Sequence, residues 1–113
     1  MNNDLRFHKS ACVVVAHADD EVLGCGGTIA KLAASGCDIN LLVVADGETS
    51  RTGVDQNRAI NLIKKREGCC KKASSILGIQ ACSFLQLDDN RLDSKDLLEI
   101  IQLVETFFIA SQP

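Results

Sequence analysis

Short, continuously apolar runs alternate along this chain with longer stretches in which apolar residues return every three or four positions. Ala11-Cys12-Val13-Val14-Val15-Ala16 and Ile39-Asn40-Leu41-Leu42-Val43-Val44-Ala45 are of the first kind. Such runs, rich in β-branched residues, predict parallel strands covered on both faces. Between them Val22, Cys25, Ile29 and Ala33 recur at helical spacing, and Gly36 supplies a stop. A polar, Gly-containing loop over residues 46–55 leads into a long helix, Gln56 to Leu77. Its buried face is expected at Leu62, Cys69, Cys70, Ala73, Ile76 and Leu77, with Gly78 at its end. A strand near Ala81–Leu87 follows, and Asp93 or Ser94 then caps a last helix striped by Leu97, Ile100, Ile101, Val104, Phe107 and Phe108.

The order β-α-β-α-β-α predicts an α/β fold, a Rossmann-like three-layer α/β/α arrangement on a parallel sheet with right-handed crossovers. No repeat, low-complexity segment or linker interrupts it, so residues 1–113 read as one domain. A crossover helix ordinarily delivers the chain to another parallel strand, and none follows Ile109-Ala110-Ser111-Gln112-Pro113. The expectation is a domain truncated after its third β-α unit, lacking its C-terminal part. The outer side of the first strand, where a fourth would pair, offers an edge through which homo-oligomers could form.

The first strand empties into His17, Asp19 and Asp20 at the start of a helix. That is where α/β folds place active sites, and ionisable groups beside a buried strand cost desolvation energy unless a cation or a function offsets it. His17 and Asp20 stand at i and i+3, on one side of the first helical turn. Imidazole nitrogen and carboxylate oxygen are both zinc ligands, and Asp19, pointing elsewhere, can address a water on the metal. Taken alone, Asp19-Asp20-Glu21 also reads as a set of acids suited to a helix N-terminus, and Glu21 is not counted among the ligands.

Composition narrows the classes. Hydrophobic residues make up 46% and charged residues 24%, which predicts a globular fold. A net charge of −3 argues against a general nucleic-acid or anionic-membrane surface, and the Lys64-Lys65-Arg66 and Lys71-Lys72 cluster reads mainly as a solvated helix face. No apolar run approaches the ~20 residues of a membrane span. The N-terminus lacks the basic-then-apolar order of a signal peptide, so a cytoplasmic chain is expected. The six cysteines contain no Cys-x-x-Cys pair and read as reduced residues in or beside apolar segments.

Ala16-His17-Ala18-Asp19-Asp20-Glu21 resembles the (Pro/Ala)-His-Pro-Asp-Asp-Glu signature of the PIG-L/LmbE-like zinc de-N-acetylases. Gly24, Gly26, Gly27 and Thr28 follow as in that family, as do Ala45-Asp46-Gly47-Glu48, a helix carrying Arg66 and closing at Leu77-Gly78, and Phe84-Leu85 leading to Asp89 and Leu92. The resemblance spans roughly residues 11–110. It implies a zinc ion held by His17 and Asp20, Asp19 as general base on a metal-bound water, and an N-acetylglucosamine-type sugar or glycoconjugate as substrate. A third ligand, a histidine, is expected beyond Pro113, since His8 precedes the first strand and falls at the wrong end of the sheet. The resemblance assigns Arg66 and Asp89 to the substrate, although Cys69 stands where the family's Arg-x-x-Glu motif has its acid. By themselves Arg66 also reads as part of the basic cluster and Asp89 as a turn former, and Asp88 is close enough to exchange roles with Asp89. Glu48 and Arg51 border the same region without a firm role.

Two other classes remain open. Gly24-Cys25-Gly26-Gly27-Thr28 at a helix start suggests a nucleotide-binding module, but the spacing is not Gly-x-Gly-x-x-Gly and three acids precede it. Close helix–sheet packing is the alternative use of these glycines. A non-catalytic or interaction fragment of such a domain is the other, and metal dependence separates the hydrolase from both.

Overall fold

A computed structural model of the chain describes residues 9–47, 55–88 and 92–112. Strands β1 (Ser10–Val15), β2 (Asp38–Ala45) and β3 (Ala81–Leu87) pair in parallel in the order β1-β2-β3. Helices α1 (Asp20–Ala34), α2 (Gln56–Leu77) and α3 (Leu97–Ser111) make the connections and the closing element. The α/β architecture expected of the alternating pattern is therefore present. Val13 stands opposite Leu41 and Leu41 opposite Cys82, so one sheet face presents Val13, Leu41 and Cys82 in a row. Ile39, Leu41 and Val43 from that face pack with Ile29 of α1 and Cys70 of α2, and this cluster is the core. Each such side chain removed from water contributes about 1.5–3 kcal/mol. The other face meets α3, where Asn40, Ser83 and Phe107 share a cavity and the Ser10 hydroxyl donates to the Gln112 carbonyl at 2.8 Å.

Only β2 is covered on both faces as a continuous apolar run should be. β1 is half-buried, because among the described residues its outer edge carries no neighbouring strand. In α2 Cys70 is buried and Leu62, Ala73 and Leu77 partly buried as expected, but Cys69 is exposed and Ile76 is 86% exposed, and Ala59 and Ser74 are buried in addition. In α3 the partly buried apolar residues are Ile100, Leu103, Val104 and Phe107, while Leu97, Ile101 and Phe108 face outward. That helix also starts later than Asp93 or Ser94 would allow. Residues Leu92–Ser94 instead form a 3-10 turn closed by Lys95 N–H to Leu92 O, and Asp96 is the residue before the helix.

α1 departs most. Cys25 has φ −144°, so two helical pieces meet there at a kink, and the first turn is rotated relative to the rest. Val22 is consequently turned out and Glu21 turned in. The close-packing reading of the glycines fails here, since a methyl group on Gly24 or Gly27 would meet nothing within 4 Å.

Candidate active site

The β1–α1 junction is a tight loop at the carboxyl edge of the sheet. His17 O accepts from the amides of both Asp19 and Asp20, at 3.0 and 3.2 Å, and the His17 amide donates to Asp20 Oδ2 at 3.0 Å. The chain thus reverses within four residues, which brings His17 Nδ1 to 3.8 Å from Asp20 Oδ2. Two donors on one tetrahedral zinc at ~2.0–2.2 Å would stand about 3.3–3.6 Å apart. The pair fits two positions on such an ion with little adjustment. Among the described residues no cluster of three or more His, Cys, Asp or Glu could hold a metal ion.

Asp19 projects away from this pair. Its Oδ2 lies 3.9 Å from Arg66 Nη2, and Arg66 Nη1 donates to the Gly47 carbonyl at 3.3 Å. Arg66 is thereby drawn out of the basic cluster expected from the sequence. It ties the loop after β1 to the loop after β2 from one position on α2. A methyl group on Gly47 would stand 2.9 Å from Arg66 Nη1, so glycine there leaves room for the guanidinium. The ion pair is partly solvated and contributes little stability; its effect is to fix where two side chains point.

Asp19 and Arg66 border a cavity of about 310 Å³ whose walls include Val22, Leu23, Cys69 and Ala73. A larger opening of about 560 Å³ lies at the opposite, amino-terminal edge, beside Lys9, Asp38, Asn40 and Gln80. Parallel sheets present their strand-end loops at the carboxyl edge, and the His17, Asp19 and Asp20 side chains are there, so the smaller cavity is the one beside the candidate chemistry. Asp89, with Glu48, Arg51 and His8, lies outside the described residues. The chain leading to Asp89 has one unusual feature. Gln86 has φ +56°, at a register irregularity between β2 and β3, and its Nε2 donates to Glu67 Oε1 at 2.7 Å. A non-glycine residue there stores on the order of 1 kcal/mol of strain.

Glu21 is the residue the sequence pattern passed over. It is 1% exposed, with Oε2 accepting from the Asp19 amide at 3.1 Å and Oε1 from Cys70 Sγ at 3.4 Å. One signal could have found it: Glu21, Cys25 and Ile29 stand four apart, so this acid occupies a position of the apolar stripe. Burial, followed by the neighbouring Glu21 carboxylate, pushes the Cys70 thiol up to about 12 and keeps it protonated.

Residues 12–113 match the family model described as PIG-L, GlcNAc-PI de-N-acetylase. The diacetylchitobiose deacetylase of Thermococcus kodakarensis is 33% identical over 93 residues, covering 81% of this chain and 34% of that protein. Among solved structures, the N,N'-diacetylchitobiose deacetylase from Pyrococcus horikoshii, complexed with its inhibitor MPG, superposes with a TM-score of 0.85 at 24% identity, over 99% of this chain and 41% of that one. The 4-carboxy-2-hydroxymuconate hydratase GalB from Pseudomonas putida KT2440 gives 0.77 at 25% identity, over 93% and 44%. The chain spans about a third of the length of the Thermococcus deacetylase it matches.

Proposed function

This chain belongs to the PIG-L (GlcNAc-PI de-N-acetylase) family, and on that premise we propose that it carries the base and two metal ligands of a sugar de-N-acetylase. The reaction is hydrolysis of the acetamide on an N-acetylglucosamine-type sugar, giving acetate and the free amine. The observation that carries the reading is the loop after β1, where His17 and Asp20 face one another at 3.8 Å and Asp19 points away toward Arg66. Ligand pair and base are separated in direction although they are adjacent in sequence.

His17 and Asp20 would hold a zinc ion, which supplies Lewis acidity to a water and to the amide carbonyl. Asp19 takes a proton from the attacking water as its oxygen adds to the carbonyl carbon. The same proton is then returned to the sugar nitrogen as the C–N bond breaks, so proton and leaving group balance. Arg66, fixed by Gly47 and Asp19, lies at the mouth of the adjoining cavity, where it can meet sugar hydroxyls. Asp89 is proposed as a second sugar contact and a histidine outside this chain as the third ligand. Six free thiols among the described residues suit a reducing, cytoplasmic setting.

A hydratase shares this fold, so the test measures acetate itself. The full-length protein, third ligand included, is incubated with N,N'-diacetylchitobiose and zinc, and acetate and free amine are quantified. Asp19→Asn is expected to lower turnover by about 10²–10⁴-fold with zinc still bound, and His17→Ala to lose the zinc. Undiminished acetate release by Asp19→Asn would remove Asp19 as the base, and zinc binding unaffected by His17→Ala would remove the ligand assignment.

A further inference from the structure

Glu21 is the one charged side chain among the described residues that is fully buried, and the reaction above does not use it. An acid that merely complements a helix N-terminus does so equally well from the surface, whereas burying a carboxylate is unfavourable unless its oxygens are satisfied. Both are satisfied here, and by different elements. Oε2 accepts from the backbone amide of Asp19, which that amide shares with His17 O, and Oε1 accepts from the Cys70 thiol of α2. The kink at Cys25 turns the first helical turn so that Glu21 points inward to make these contacts.

We propose that Glu21 is a positioning residue for Asp19, holding the backbone of the base in place through its buried carboxylate, with Cys70 as the brace that sets the carboxylate against α2. The catalytic half of this inference rests on the de-N-acetylase reading; the geometric half does not. Glu21 also lies in the wall of the cavity that Asp19 and Arg66 border, but its two carboxylate oxygens are taken by the Asp19 amide and the Cys70 thiol, so its influence on turnover is assigned to Asp19.

Two measurements test it. The first is exchange of the Asp19 amide hydrogen, followed by NMR in the whole protein without substrate. Wild type and Glu21→Gln, which keeps an acceptor oxygen, are expected to exchange slowly, and Glu21→Ala at least about tenfold faster while Val13 in β1 is unchanged. Cys70→Ala, which leaves the loop's own residues intact, is expected to give an intermediate acceleration of about threefold. Asp19 exchange that responds to neither substitution would overturn the proposal. Should Glu21→Ala fail to fold, Cys70→Ala carries this test alone.

The second is acetate release. Glu21→Ala is expected to lower kcat about tenfold or more with KM within about twofold and zinc stoichiometry unchanged, and Glu21→Gln to restore most of the loss. Added to Asp19→Asn, Glu21→Ala is expected to lower kcat by less than about twofold further, because the group it positions is already gone. Losses that multiply in the double variant would show Glu21 acting independently of Asp19 and overturn the assignment. If the full-length wild type, third ligand included, releases no acetate, the de-N-acetylase reading fails, and amide exchange decides the role of Glu21 separately.

Discussion

Gly78→Ala isolates the cost of closing α2 against α1. Gly78 ends α2 at φ +88°, with its amide donating to Ser74 O at 3.0 Å. A methyl group there would stand 2.6 Å from the Cβ of Ala33, near the end of α1. Neither methyl can swing aside, so one helix end must move. The left-handed backbone costs an alanine about 1 kcal/mol, and forcing overlap into packed structure a further 1–3 kcal/mol, which places the loss at about 2–4 kcal/mol. Gly36→Ala is the matched control. Gly36 has φ +90° and open space around it, so only the backbone part, about 1 kcal/mol, applies. Equilibrium urea unfolding monitored by far-UV circular dichroism measures both. Ala33→Gly combined with Gly78→Ala removes the overlap, and the double-mutant cycle is expected to show at least about 1 kcal/mol of favourable coupling. Losses for Gly78→Ala and Gly36→Ala within about 0.5 kcal/mol of each other, with no coupling to Ala33, would refute the contact between the helix ends.

The core and the exposed Ile76 of α2 make a second comparison. Leu41→Ala, at a fully buried position of β2, is expected to cost about 2–5 kcal/mol, whereas Ile76→Ala should stay within about 0.5 kcal/mol; a similar loss at both in urea unfolding would mean Ile76 packs as its place in the sequence stripe suggested. Alkaline pH makes the third. The Cys70 thiol, pushed from 9.0 up to about 12 in the fold, keeps a proton that the unfolded chain loses, so its contribution is full below pH 9 and declines as pH rises through that window, by up to about 1.4 kcal/mol per unit. Cys70→Ser, with no group titrating there, is expected to flatten the decline in pH-dependent urea unfolding, and an unchanged slope would contradict the assignment.

The strand–loop–helix junction and the alternation of elements were legible because each is a local signal. Val13-Val14-Val15 ending at His17 and the Asp19-Asp20 pair lie within nine residues, and the apolar β2 leaves few alternatives to a central strand. What was not legible depends on contacts across the fold. The kink at Cys25 changes the phase of α1, so a single periodicity over Val22–Ala33 put the wrong side chain inside. Glu21 looked like a capping acid because its partner, Cys70, is 49 positions away. Arg66 was singled out only by its place in the family resemblance, and its hold on the Gly47 carbonyl and Asp19 had no local signal in the sequence. The faces of α2 and α3 were too rich in apolar residues for spacing to choose: Ile76, Leu97 and Ile101 are as hydrophobic as the side chains that pack.

The wide separation of these tethers has a consequence in time. The loop bearing Asp19 leaves a strand hydrogen-bonded to only one neighbour among the described residues, and two of the loop's moorings, Glu21 to Cys70 and Asp19 to Arg66, come from α2. Closing a connection of nearly fifty residues carries an entropic cost that must be met before either tether can form. The loop's own turn is local, but these two tethers form only when α2 docks, however early the β1 segment becomes extended. During refolding, protection of the Asp19 amide should trail the appearance of helical signal, and a substitution that slows α2 docking would delay that protection without lowering its final level.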